Sequence, residues 1–204
     1  MQKIYLIDPY VKELETEVLD TTEDAVLLEK IIIYPGGGGQ PFDHGKIDKY
    51  EIKGIFEKKS LIWFKIGVHT LKKGQKVHTS IDWSRRFTLM RSHTSAHLFF
   101  QVLEEMYGSM KPIGSNIDIK RSRLEIDRAD LTLEDAKKAE ARVNEIINEK
   151  REVETRQQED TGDCFAQISG YPEIACGGTH VKKTSDIGGF VVLKREKKGK
   201  ERVR

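Results

Sequence analysis

Two cysteines in 204 residues leave no material for a disulfide framework. No apolar run approaches the ~18 residues that a membrane-spanning helix requires. The first residues, Met1-Gln2-Lys3-Ile4-Tyr5, lack the apolar core of a signal peptide. The formal net charge of +2 is too small to imply a nucleic-acid partner by itself. A disulfide-stapled secreted module and a helical membrane protein are therefore excluded, and a reducing, cytoplasmic setting is expected. With 37% hydrophobic and 33% charged residues, the composition suits a soluble protein with a highly charged surface, and the length predicts two domains.

From residue 3 to residue 82 the chain consists of short apolar or alternating runs broken by turns. Examples are Ile4-Tyr5-Leu6-Ile7, a run from Ala25 through Ile33, Ser60-Leu61-Ile62-Trp63-Phe64 and Lys76-Val77-His78-Thr79. Such spacing predicts a small β-barrel or sandwich over residues 1–83. Four glycines, Gly36, Gly37, Gly38 and Gly39, followed by Gln40, interrupt the strands. They fit neither a P-loop nor a dinucleotide-binding fingerprint. Taken alone they read as a long hairpin loop, or as bare backbone that can lie against a phosphate or another loop. Asp43-His44 has no further ligands nearby and is not read as a metal site.

The pattern changes after Asp82-Trp83-Ser84-Arg85-Arg86. Residues 87–107 contain no Gly or Pro, and Gly108 supplies a stop signal, so a helix is predicted there. Its face carries Leu89, His93, Ala96, Phe100 and Leu103, recurring at three- and four-residue steps. Two strands, 113–119 and 123–127, follow, then a helix opened by a capping box at Thr132-Leu133-Glu134-Asp135. A closing strand is predicted over 190–194. Residues 84–204 thus read as a two-layer α/β domain with helices on an antiparallel sheet, and the whole chain as α+β. The positive run over 194–204 can contact phosphates or form a solvated end.

Two short stretches carry metal-binding chemistry. On a helix, His93 and His97 lie on one face with Cβ atoms roughly 5–6 Å apart. Cys176-Gly177-Gly178-Thr179-His180 places a thiol and an imidazole four residues apart, with glycines that let the backbone fold tightly. Three imidazoles and one thiolate make a tetrahedral zinc set. A zincin protease would need Glu directly after the first His, and Thr94 stands there instead.

His93-Thr94-Ser95-Ala96-His97 and Cys176-Gly177-Gly178-Thr179-His180 resemble the zinc motifs of the alanyl-tRNA synthetase editing domain and of its freestanding AlaX relatives. Tyr34-Pro35-Gly36-Gly37-Gly38-Gly39-Gln40-Pro41-Phe42-Asp43-His44-Gly45 resembles the glycine-rich motif of the synthetase and of the medium-length AlaX class. The resemblance spans nearly the whole chain. It implies a trans-editing hydrolase, without a synthetase core, that removes serine, and also glycine, from mischarged tRNA-Ala and spares Ala-tRNA-Ala. It further implies zinc held by His93, His97, Cys176 and His180, with Thr94 or Ser115 reading the substrate. Gly36, Gly37, Gly38, Gly39 and Gln40 become contacts to tRNA or to another loop. Two rivals stand beside it: an RNA-binding module with a purely structural zinc, and a zinc hydrolase of small esters or amides.

Overall fold

The computed structural model describes residues 1–158, 160–199 and 201–204. The fold is α+β, and the chain divides into two compact units. Unit 1 comprises Met1–Gly37 and Pro41–Arg86, and unit 2 comprises Gly38–Gln40 and Phe87–Arg204. Three residues after the second glycine of the loop therefore belong to the later half of the chain. No helix among the described residues is long and apolar enough to cross a membrane.

Unit 1 contains β1 (Gln2–Lys3), the short α1 (Ile4–Ile7), β2 (Glu13–Thr21), β3 (Ala25–Leu28), β4 (Lys30–Ile31), β5 (Gly45–Ile47), β6 (Tyr50–Glu51), β7 (Gly54–Lys58), β8 (Leu61–Lys65) and β9 (Lys76–Ile81). Seven of these strands form one antiparallel sheet in the order β6-β5-β9-β2-β3-β8-β7. β2 is the pivot. Its first half, from Glu13 to Glu17, pairs with β9, and its second half, from Val18 to Thr21, pairs with β3 across a register irregularity between Val18 and Asp20. A strand that changes partner at a bulge turns a sheet corner, which wraps the two halves around one core. Alternation shows which side chains turn inward: Thr16 and Val18 are buried while Glu15 and Glu17 are exposed. The core gathers Val18, Val26, Leu28, Ile31, Ile32, Ile33, Ile47, Phe64 and Val77. Each fully buried aliphatic or aromatic side chain contributes about 1.5–3 kcal/mol. The apolar run expected from Ala25 through Ile33 is divided, because the Glu29 N–H turns to the Glu17 carbonyl and β4 pairs in parallel with β1.

One ion pair holds the base of the glycine loop within unit 1. Arg86 has no exposed surface and Asp43 is 1% exposed. The guanidinium grips the Asp43 carboxylate and donates to the Pro9 carbonyl at 2.8 Å and the Ile32 carbonyl at 2.6 Å. Asp43 in turn accepts from the Tyr34 N–H at 2.7 Å, and its own N–H donates to the Tyr34 carbonyl at 3.0 Å. The two ends of the loop are thus tied together. The four glycines take positive φ values of 92°, 137°, 56° and 85°, which residues with a Cβ rarely adopt. The Tyr34 hydroxyl donates to the Gly37 carbonyl at 2.9 Å. The segment is a built turn, not a slack hairpin.

Unit 2 holds most of α2 (Trp83–Tyr107), then β10 (Pro112–Asn116), β11 (Arg123–Ile126), α3 (Leu133–Asn148), β12 (Val153–Gln157), β13 (Cys164–Ile168), β14 (Ile174–Ala175), β15 (Lys197–Lys198) and β16 (Arg202–Val203). A 3-10 turn spans Thr184–Ile187. Two small sheets run β10-β11-β16-β15 and β12-β13-β14. α2 ends as expected, with Gly108 at φ 82° and its N–H on the Glu104 carbonyl. Beyond Arg86, its buried residues are Leu89, Met90, His93, Thr94, Leu98, Gln101, Val102 and Leu103. The stripe therefore runs through Leu98 and Val102, and Ala96 and Phe100 are only half-buried. α3 opens on a capping box in which the Thr132 hydroxyl accepts from the Asp135 N–H and the Asp135 carboxylate accepts from the Thr132 N–H. Ala139, Val143, Ile146 and Ile147 form its buried side.

No strand forms over 190–194. Phe190 exchanges two hydrogen bonds with the Asn144 side chain, at 3.0 and 2.8 Å, and the Val192 N–H donates to Glu140 at 2.5 Å. Side chains of α3 satisfy the backbone groups that a neighbouring strand would otherwise have taken. The closing strand is instead the short β16, whose Val203 pairs with Ile126 of β11. Within the basic run, Lys200 lies outside the described residues.

Candidate metal centre

Two elements of unit 2 supply the centre. α2 sets His93 and His97 one turn apart, with ring centroids 4.9 Å from each other. β14 delivers the chain to Cys176, whose N–H donates to the Cys164 carbonyl at 2.8 Å, and the following turn brings back His180. The His180 ring centroid lies 4.5 Å from that of His93 and 4.8 Å from that of His97. One ligand atom from each of His93, His97, Cys176 and His180 falls within 4.8 Å of the others. Cys176 Sγ is 3.5 Å from His93 Nε2 and 3.3 Å from His180 Nε2. With bonds of ~2.3 Å to sulfur and ~2.0–2.1 Å to nitrogen, a tetrahedral S···N edge is roughly 3.5 Å. These two S···N distances match that edge.

Burial leaves the imidazoles in the protonation state that a metal ligand needs. Burial pushes His93 down to about 3, helped by the nearby His97, and pushes His97 down to about 4. Burial, with the charges of His93 and His97, carries His180 well below its ordinary value. All three imidazoles are therefore neutral near pH 7 and offer lone pairs. Burial also raises the Cys176 thiol, against the pull of the Gly178 N–H, which lies 3.4 Å from the sulfur. A thiolate there needs a positive neighbour, and a bound metal ion provides one. The residues fit a metal ion.

Further groups hold the ligands in place. Thr94 has no exposed surface; its Oγ1 lies 3.1 Å from His180 Nδ1 and accepts from the Val181 N–H at 3.2 Å. Gln40, 2% exposed, places Oε1 2.8 Å from His93 Nδ1 and 3.1 Å from the Thr179 N–H, and donates from Nε2 to Thr179 Oγ1 at 2.8 Å. Ser115 is not among these contacts. It is exposed on β10, and its hydroxyl donates to the Gly38 carbonyl at 3.2 Å. Gly39 packs against the same strand: a Cβ there would lie 2.4 Å from Ser115 Oγ, and its carbonyl accepts from the Ile117 N–H.

The two glycines between Cys176 and His180 differ. Neither takes a positive φ. A Cβ on Gly178 would lie 2.2 Å from His93 Cε1 and 3.1 Å from Gln40 Oε1, whereas one on Gly177 meets only Cys164 Cβ at 3.9 Å. Close approach of an imidazole, not a tight backbone, accounts for the glycine at 178. Sequence reasoning had no access to this, or to Thr179, which is 1% exposed and tied to Gln40.

Residues 162–204 match the family model of the threonyl and alanyl tRNA synthetase second additional domain, and residues 2–85 match that of class II (A) tRNA synthetases. The chain is 33% identical over 208 residues to the alanyl-tRNA editing protein AlaX-M of Pyrococcus horikoshii, covering 99% of this chain and 95% of that protein. The AlaX-M of Methanosarcina mazei is 32% identical, with 98% and 92% covered. The alanine–tRNA ligase of Thermoplasma acidophilum is 35% identical over 222 residues, and the chain spans 25% of that enzyme's length. By sequence across almost its full length, the chain belongs to the AlaX-M family of alanyl-tRNA editing proteins.

Proposed function

We propose that this protein is an aminoacyl-tRNA deacylase that removes serine, and also glycine, from mischarged tRNA-Ala in the cytoplasm and spares Ala-tRNA-Ala. The observation that carries the reading is the convergence of His93, His97, Cys176 and His180 in a chain a third identical to two alanyl-tRNA editing proteins over nearly their whole length. Three neutral imidazoles and one thiolate suit zinc. When bound, zinc supplies positive charge that keeps Cys176 ionised and polarises groups of the ester brought against it. The chain's own part is to hold the four ligands and to seat the aminoacyl end.

Discrimination requires a group that hydrogen-bonds the serine hydroxyl. Such a contact favours serine over alanine; glycine, which also lacks the hydroxyl, is not selected by it. Of the two candidates, Thr94 is fully buried and engaged with His180 and Val181, whereas Ser115 is exposed and retains acceptor capacity beyond its bond to Gly38. We assign the role to Ser115. Gly36 and Gly37 are assigned to tRNA, and Gly38 and Gly39, which lie against β10, to the contact with that strand. Gln40, at 2% exposure, is assigned to the interior.

The test is a deacylation assay on Ser-tRNA-Ala, Gly-tRNA-Ala and Ala-tRNA-Ala without ATP. Serine is expected to be released and alanine retained. Zinc-loaded protein that leaves all three intact would favour the RNA-binding module with structural zinc, and turnover of free serine esters as fast as the tRNA would favour a small-ester hydrolase.

A further inference from the structure

We infer that Gln40 is a positioning residue of the metal centre, fixing the tautomer of His93 and joining the two halves of the ligand set. The inference rests on the metal-dependent deacylase reading above. The amide orientation follows from its partners. The Thr179 N–H can only donate, so the Gln40 atom 3.1 Å from it is the carbonyl oxygen Oε1, and Nε2 then donates to Thr179 Oγ1 at 2.8 Å. The same Oε1 faces His93 Nδ1 at 2.8 Å. An amide oxygen cannot donate, so Nδ1 must carry the proton. A neutral imidazole has one N–H, which leaves Nε2 bare, and Nε2 is the nitrogen that faces Cys176 Sγ. One oxygen therefore aims a ligand from α2 while holding the backbone N–H of Thr179, the residue directly before His180.

Two further observations support a role beyond packing. Gln40 is a buried polar side chain whose amide oxygen and nitrogen both serve residues of the centre, and not solvent. Gly178 leaves open the space in which His93 and Gln40 meet, since a Cβ there would strike both. Outer partners that orient metal-bound histidines typically contribute about 10–100-fold in metal affinity. Gln40 also gives the last residue after the glycine run a task in chemistry rather than in loop flexibility.

The test compares wild type, Gln40→Leu, Gln40→Glu and Thr179→Val as full-length zinc-loaded proteins. Zinc affinity is measured by competition with a chromophoric chelator, and the His93 ring is followed by ¹⁵N NMR. Gln40→Leu, close in size but without an acceptor, is expected to weaken zinc about 10–100-fold and to lose the slowly exchanging Nδ1–H. Gln40→Glu keeps an oxygen acceptor and is expected to retain both within a few-fold. Thr179→Val removes only the partner of Gln40 Nε2 and is expected to fall between them, which keeps the test decisive if Gln40→Leu does not fold. Wild-type zinc affinity in Gln40→Leu and Thr179→Val overturns the role of Gln40 alone, as does a loss in Gln40→Glu equal to that in Gln40→Leu. Wild-type protein that takes up no zinc overturns the metal reading beneath it.

Discussion

Gly178→Ala is expected to strip the protein of zinc as completely as Cys176→Ala, and to abolish release of serine from Ser-tRNA-Ala. Gly177→Ala is expected to retain both. The added Cβ at 178 would sit 2.2 Å from His93 Cε1 and 2.5 Å from Nδ1, against an ordinary carbon contact of about 3.5–4.0 Å. His93 is 3% exposed and wedged between Gln40 and the other ligands, so its ring must shift by about an ångström or more. A displacement of that size costs roughly 10²-fold where geometry matters. It also pulls Nδ1 off Gln40, so two supports fail together. At 177 the nearest atom is Cys164 Cβ at 3.9 Å, an ordinary contact. Metal content of the purified variants and the deacylation rate give the answer. Stoichiometric zinc and full activity in Gly178→Ala would contradict the site geometry.

That contrast shows where sequence reasoning stops. Spacing alone brought His93 and His97 onto one helix face and paired Cys176 with His180, because periodicity and short loops are local properties. α2, its stop at Gly108, and the capping box at Thr132 were legible for the same reason. What was not legible involves residues far apart in the chain. Gln40 meets His93 across 53 positions and Thr179 across 139, and no local pattern encodes such a meeting. The glycine run signalled unusual backbone but not its tie to the ligands. The run over 190–194 reads as a strand because Val and Leu favour one, yet Asn144 and Glu140 take its hydrogen-bonding groups. Ala96 and Phe100 were assigned to the core by a period that Leu98 and Val102 follow two residues later.

Asp43 and Arg86 also lie outside any local pattern, and their loss is expected to be the most damaging to unit 1. Arg86→Met is expected to destabilise the protein by about 3–5 kcal/mol, because it leaves the Asp43 carboxylate buried without its cation. Asp43→Leu is expected to cost as much, by stranding the guanidinium. Replacing both is less harmful than the sum, since two apolar side chains carry no unpaired charge. Recovery is nevertheless partial. Arg86 also serves the Pro9 and Ile32 carbonyls, and Asp43 serves the Tyr34 N–H, so the double variant leaves three buried backbone groups unmet. Each such group costs about 1–3 kcal/mol. Urea unfolding of the wild type, both single variants and the double variant closes the cycle. A coupling energy near zero would show that the pair is incidental, and full recovery in the double variant would show that the backbone contacts of Arg86 contribute nothing.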